Sequence, residues 1–263
     1  MVRGAQRWSW LTAPVILIGF LAAWKLYVEG FGVSRFILPP PEQVGRAFVA
    51  LLEGKTTGLH AGITLYETVV GFALALGFGV ILAIALGKLP WLERALMPFV
   101  VALQVVPKVA LVPLFILWFG FGPGSKVIVA AVLAFFPIFT NTLLGVKSVE
   151  RGHRDVMDSL NAGRWHTVWL LELPSALPYV LAGMEVGIVL AVIGAVVGEY
   201  LGGSEGLGHL AVATLNAFQV DALFAVILLL TVMGFGLWLL VVLLRRAVIP
   251  WHESVAGTGP REA

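Results

Sequence analysis

The chain has 263 residues, of which 59% are hydrophobic and 12% charged, and its mean hydropathy is +0.96. A soluble domain carries about a quarter charged residues, so these values exclude a soluble globule, a disordered chain and a coiled coil, and predict an integral membrane protein. The net charge of +2 is too small for a nucleic-acid surface, and the absence of cysteine removes disulfides, thiolate metal sites and cysteine nucleophiles.

A membrane helix needs about 20 mostly apolar residues, and the charge-poor stretches supply six. The first, 9–28, follows Arg3 and Arg7 as a signal peptide would. Its apolar run is too long, and no small-x-small site precedes Lys25, so it reads as a retained helix. The segment 29–60 holds Pro39-Pro40-Pro41 and then EQVGRAFVALLEG. Val44, Ala47, Phe48, Leu51 and Leu52 follow helical spacing there, which predicts a short amphipathic helix within 38–55 on the outer face. The second span is 62–87, where Gly71, Gly77 and Gly79 suit close helix packing. The third, 95–121, contains Pro107, Lys108 and Pro113 and is predicted to be kinked. The fourth is 127–146 and carries Pro137. A polar loop, 147–177, precedes the fifth span, 178–202, and the sixth is 222–245. Transmembrane strands would show alternating segments of about ten residues. These runs are continuous and longer, so the fold class is an all-α membrane protein forming one membrane domain.

The Lys and Arg distribution orients the chain. With the N-terminus in the cytoplasm, the inner side holds Arg3, Arg7, Lys88, Arg94, Lys147, Arg151, Arg154, Arg164, Arg245, Arg246 and Arg261. The outer side holds Arg35, Arg46, Lys55 and Lys126. Both termini are therefore expected in the cytoplasm.

Enzymatic motifs are lacking. Gly54-Lys55-Thr56 ends like a phosphate loop, but Val49 stands where the first glycine belongs and the segment is expected outside. No H-x-x-x-H metal pair and no G-x-S-x-G frame occur. Charged groups inside spans are costly and default to functional candidates. Here they are Glu67, Lys108, Glu185 and Glu199, with pairing of Glu185 to Lys108 as the structural alternative. Gln104 precedes Pro107, and Thr140 and Asn141 follow Pro137, where proline frees backbone carbonyls that can line a cavity. The candidate path is therefore Gln104, Lys108, Asn141, Glu185 and Glu199, and the candidate hinges are Pro107, Pro113 and Pro137. The ionisable set also leaves open an ion-gradient-driven secondary transporter.

The loop 147–177 carries eight charged residues: Lys147, Glu150, Arg151, Arg154, Asp155, Asp158, Arg164 and Glu172. Asp155 to Leu160 reads as a short helix with Val156, Met157 and Leu160 on one face, and Asn161 suits a left-handed end. A second amphipathic stretch holds Trp165, Val168, Trp169 and Leu171. An exposed apolar ridge of this kind suggests a docking site for a partner.

This loop resembles that of bacterial ABC importer permeases, E-A-A-x-x-x-G followed by a distal L-P. With Leu173-Pro174 as the anchor, the glycine falls on Asn161 and the E-A-A on Asp155-Val156-Met157. LPPPEQV at 38–44, VPKVALVPLFILWFGFG at 106–122, GVKSV at 145–149, LPSALPYVLAGMEVG at 173–187, GEYL at 198–201, GLG at 206–208 and PWH at 250–252 are similar to the nitrate/sulfonate/taurine group of these permeases. The resemblance implies the type I importer permease fold and no catalysis in this chain. It also implies a homodimer, two cytoplasmic ATPase subunits that bind ATP and Mg, and an extracytoplasmic binding protein, all at a bacterial inner membrane. The docking residues it implies are Asp155, Val156, Met157, Leu160, Asn161, Ala162, Arg164 and Trp165. The solutes it implies are small organic or inorganic anions, or a pyrimidine or other vitamin precursor.

Overall fold

The computed structural model describes residues 9–250. Arg3, Arg7, Arg261 and the Trp251-His252 part of PWH lie outside the described residues, as do the side chains of Arg151 and Arg164. Among the described residues the protein is all-helical, as its sequence predicts. The helices are α1 (Ser9–Gly30), α2 (Pro41–Glu53), α3 (Thr57–Lys88), α4 (Pro90–Val105), α5 (Val112–Phe119), α6 (Pro123–Lys147), α7 (Arg151–Ser159), α8 (Arg164–Thr167), α9 (Leu173–Gly202), α10 (Leu207–Asn216) and α11 (Val220–Val248). Among the described residues five segments are long and apolar enough to cross a membrane: Thr12–Gly30, Thr57–Lys88, Pro123–Lys147, Trp165–Gly202 and Val220–Val248. The pair Pro90–Val105 and Lys108–Phe119, whose axes meet at 87°, is apolar enough to count as a sixth if the two helices together form one broken span.

Proline places several helix boundaries. Pro41, Pro90 and Pro123 open α2, α4 and α6, where a missing N–H costs nothing. Val106 is held extended by Pro107 (φ −59°, ψ 130°), so α4 stops there. The chain resumes as a 3-10 turn at Lys108–Leu111, and Pro113 lies in the first turn of α5. Pro137, in contrast, does not interrupt α6. Side chains bond the carbonyls around it: Asn141 Nδ2 donates to Pro137 O at 2.8 Å and Thr140 Oγ1 to Phe136 O at 2.8 Å. The helix feeding α9 also starts earlier than hydropathy suggests. It runs from Arg164 through a π turn, Val168–Glu172, into α9.

The chain divides into two compact units, one comprising residues up to Leu59 with Leu210–Leu230, the other His60–His209 with the chain from Thr231 onward. In the first, Val28 of α1 and Val44 of α2 are buried. Trp24 meets Phe224 with ring centroids 5.9 Å apart, and Lys25 lies 3.6 Å from Glu29 and 3.5 Å from Glu42. A backbone hydrogen bond in the first turn of α2, aided by Lys25, holds the Glu42 carboxyl below its ordinary value. Thr57 Oγ1 donates to Leu51 O at 2.6 Å across the α2–α3 turn.

In the second unit α3, α6 and α9 pack through small residues: Ala75, Ala130, Ala134, Ala191 and Ala195 surround Ile138. Apolar side chains gain little by leaving lipid for a helix interface, so close backbone approach carries such packing. A Cβ added at Gly71 would lie 2.6 Å from Ala130 Cβ, and one at Gly194 2.6 Å from Ala130 Cα. A Cβ at Gly79 would lie 3.1 Å from Ile138 Cγ2, whereas one at Gly77 would meet nothing within 4 Å.

Candidate functional site

The bend between α4 and α5 sets Lys108 against α6. Its ammonium donates to Gln104 O at 2.8 Å and sits 4.4 Å from the centre of the Phe136 ring. A cation over an aromatic face is attracted by the ring quadrupole. Lys108 and Phe136 form a shared wall between two hollows. On one side, about 560 Å³ is lined by Gln104, Lys108, Thr140 and Asn141 with Leu133, Phe136 and Leu190. On the other, about 450 Å³ is lined by Leu74, Phe78, Leu103, Phe115 and Phe135 and is apolar apart from Lys108. Neither hollow has a carboxylate among its described lining residues. Three of the five candidate path residues, Gln104, Lys108 and Asn141, thus share one cavity.

The other two lie elsewhere. Glu185 of α9 pairs with Arg245 of α11 at 2.8 Å, with both side chains largely covered, rather than with Lys108. These residues are 60 positions apart, and no local pattern around either one signals the pairing. Glu199 is 1% exposed and belongs to a buried polar knot. Its Oε1 accepts from Thr64 Oγ1 at 2.6 Å and its Oε2 from the Gly208 amide at 2.6 Å. Thr64 Oγ1 in turn accepts from the Leu207 amide at 2.8 Å, and His60 Nδ1 from the Gly206 amide at 3.0 Å. The opening amides of α10 are therefore satisfied by α3 and α9 side chains instead of by a cap of their own. Gly206 has φ +100°, and a Cβ there would lie 2.0 Å from Glu199 Oε1, so this turn admits only glycine. Beside the knot Lys126 donates to the carbonyls of Phe121, Gly122 (3.0 Å) and Gly202 (3.0 Å), tying the end of α5 to the end of α9. Glu67, 2% exposed, lies next to Glu199. The sequence flagged Glu67 and Glu199 but missed His60, Thr64 and Lys126. Their signal was the spacing of His60, Thr64 and Glu67 along one helix face.

The loop after α6 presents a third feature. α7 ends in a Schellman turn: Ala162 N donates to Met157 O at 3.0 Å and Asn161 N to Asp158 O at 2.9 Å, with Asn161 at φ +52°. Asp155, Val156 and Asn161 are exposed, Leu160 and Trp165 strongly so at 72% and 75%, and Met157 and Ala162 are half-buried. The loop is tied to the spans by ion pairs. Glu172 binds Lys88 at 2.8 Å and Arg154 at 3.8 Å, and Lys147 binds Glu93.

The chain is similar to transport permeases along nearly its whole length. It is 38% identical over 255 residues to the riboflavin transport system permease protein RibX of Chloroflexus aurantiacus, covering 96% of this chain and 95% of that protein. It is 33% identical over 244 residues to the formylaminopyrimidine transport permease protein ThiX of Halalkalibacterium halodurans, with 93% and 97% covered. It is 30% identical over 260 residues to the taurine transport system permease protein TauC of Escherichia coli, with 95% and 94% covered. Residues 75–251 match the family described as binding-protein-dependent transport system inner membrane component, a region that contains the cavity lined by Gln104, Lys108 and Asn141, the Glu199 side of the polar knot and the loop. The chain belongs to that family, as an inner-membrane permease subunit of an ABC importer.

Proposed function

We propose that two copies of this chain form the path for a small organic anion or an anionic or polar heterocycle, handed over by an extracytoplasmic binding protein. The carrying observation is the cavity at the α4–α5 bend. It combines one ammonium, two amides and a hydroxyl with an aromatic wall and no carboxylate among its described lining residues. Lys108 takes the negative group, Gln104 and Asn141 take polar edges, and Phe136 takes the flat or apolar body. The solutes for which the similar permeases are named, riboflavin, formylaminopyrimidine and taurine, share this mixture of polar and apolar or anionic parts.

In this reading both termini lie in the cytoplasm, and α7 with Asp155, Val156, Met157, Leu160, Asn161, Ala162, Arg164 and Trp165 seats a separate ATPase subunit, which binds ATP and Mg. ATP binding draws the ATPase subunits together, and the permease halves rock about the bend at Pro107 and Pro113. The ion-gradient alternative has no matching support, because Glu185 is ion-paired with Arg245 and Glu199 is engaged in capping α10.

The test is ATP-dependent uptake by the complete complex in proteoliposomes, with taurine, riboflavin and nitrate as probes. Lys108→Gln lowers uptake of the transported anion about tenfold, the loss of one charge-assisted contact. Unchanged uptake by Lys108→Gln removes the cavity from the path. Asp155→Lys with Leu160→Asp abolishes co-purification of the ATPase, and its retention would overturn the docking assignment.

A further inference from the structure

Glu172 occupies an unusual position. It closes the π turn at Val168–Glu172, the one described place where the helix that becomes α9 carries an extra residue. π turns of this kind recur at functional sites. The turn points the carboxylate at two cations from different elements. Lys88, 2.8 Å away, is the last residue of α3, and Arg154, 3.8 Å away, lies on α7. Glu172 is 20% exposed while both cations are about half exposed, so the carboxylate is the fixed post and the cations are the arms. The packing beneath is loose: a hollow of about 60 Å³ is bounded by Ile84, Val146, Val168 and Ala176 together with Lys88 and Glu172. Close-packed helices transmit motion only in discrete rearrangements, and a π turn over a small void is a place where one can occur.

We infer that Glu172 is a positioning residue that passes displacement of α7 to the end of α3, through the Arg154–Glu172–Lys88 relay and the π turn that holds it. The inference rests on the reading of α7 as the ATPase-docking helix. ATPase closure shifts α7, Arg154 carries the shift to Glu172, and Lys88 carries it to α3, whose Leu74, Ala75 and Phe78 line the apolar hollow beside Lys108. The direct Lys147–Glu93 pair does the corresponding work between the end of α6 and the start of α4, without α7.

The chain contains no cysteine, so a single Phe78→Cys reporter can be labelled selectively. The complex with its ATPase subunit is placed in nanodiscs and treated with a membrane-impermeant maleimide, with and without ATP and vanadate. With Glu172 intact, nucleotide changes the labelling rate about fivefold, the lower range of allosteric coupling. Glu172→Gln and Lys88→Met each remove that change while the ATPase still co-purifies. The double variant loses no more than either single one, because both cut the same link. Glu172→Asp, which keeps the charge, retains most of the response. A full response in Glu172→Gln or in Lys88→Met overturns the relay, and so does an absent response with Glu172 intact. Should Glu172→Gln fail to accumulate, Lys88→Met on a more exposed side chain decides alone. Failure of the docking reading is seen separately, as ATPase retained by the Asp155→Lys, Leu160→Asp variant.

Discussion

The polar knot at Glu199 separates two roles that a carboxylate inside a span can have. If its charge serves the solute path, replacing it by glutamine or by leucine removes that charge equally. If it caps α10, the two replacements differ, and hydrogen-bond accounting says how. Glutamine offers one carbonyl oxygen and one NH2 group. The carbonyl can accept from the Gly208 amide, and the NH2 can donate to Thr64 Oγ1, which still accepts from the Leu207 amide. The Thr64 hydroxyl proton then goes to His60 O, already 3.1 Å away. The Gly208 and Leu207 amides and the Thr64 hydroxyl all keep partners, so Glu199→Gln changes stability by less than about 1 kcal/mol. Leucine strips the acceptor from the buried Gly208 N–H, while the Thr64 hydroxyl still has His60 O within reach. At about 1–3 kcal/mol for an unsatisfied group, Glu199→Leu costs roughly 1–3 kcal/mol from that amide. Unfolding of the purified protein in mixed micelles of rising SDS fraction, followed by tryptophan fluorescence, reads the difference. Equal midpoints for the two variants would refute the capping argument.

Three further outcomes are expected. Gly206→Ala destabilises by at least about 1–3 kcal/mol in the same titration, because its φ of +100° and the Glu199 carboxylate both oppose a Cβ. Phe218 ends α10 at φ +57°, in a Schellman turn closed by Gln219 N to Thr214 O at 2.9 Å. An aromatic residue there is strained, so Phe218→Gly stabilises by about 1 kcal/mol. Arg245→Met leaves Glu185 covered and unpaired, at a cost below the roughly 3–5 kcal/mol of a fully buried pair. Adding Glu185→Met recovers most of that loss, and a double variant as unstable as the single one would show that Arg245 acts through another contact.

The crossings were legible because lipid demands long apolar runs, and α3, α6 and α11 leave no ambiguity in the hydropathy. Asn161 was legible too, since few residues besides glycine tolerate a left-handed backbone. What escaped was non-local. Nothing around Glu185 names Arg245 as its partner, and nothing around Gly206–Gly208 says that α3 and α9 supply their acceptors. Both depend on which helix faces bury together. The effect of a proline was not legible from the residue alone: the chain leaves the helix at Val106–Pro107, whereas α6 runs unbroken through Pro137.

Ala130 has a glycine backbone against it on either side, Gly71 of α3 and Gly194 of α9, each with less room than one methyl group requires. Helices meshed that tightly cannot slip past one another by fractions of a turn. α3, α6 and α9 therefore behave as a single stiff slab, and a push at one corner moves all of it. Bordering the slab is the right-angled joint between α4 and α5 that carries Lys108. The cation nearest the cavity is thus mounted on the joint, and the aromatic face it rests on belongs to the slab.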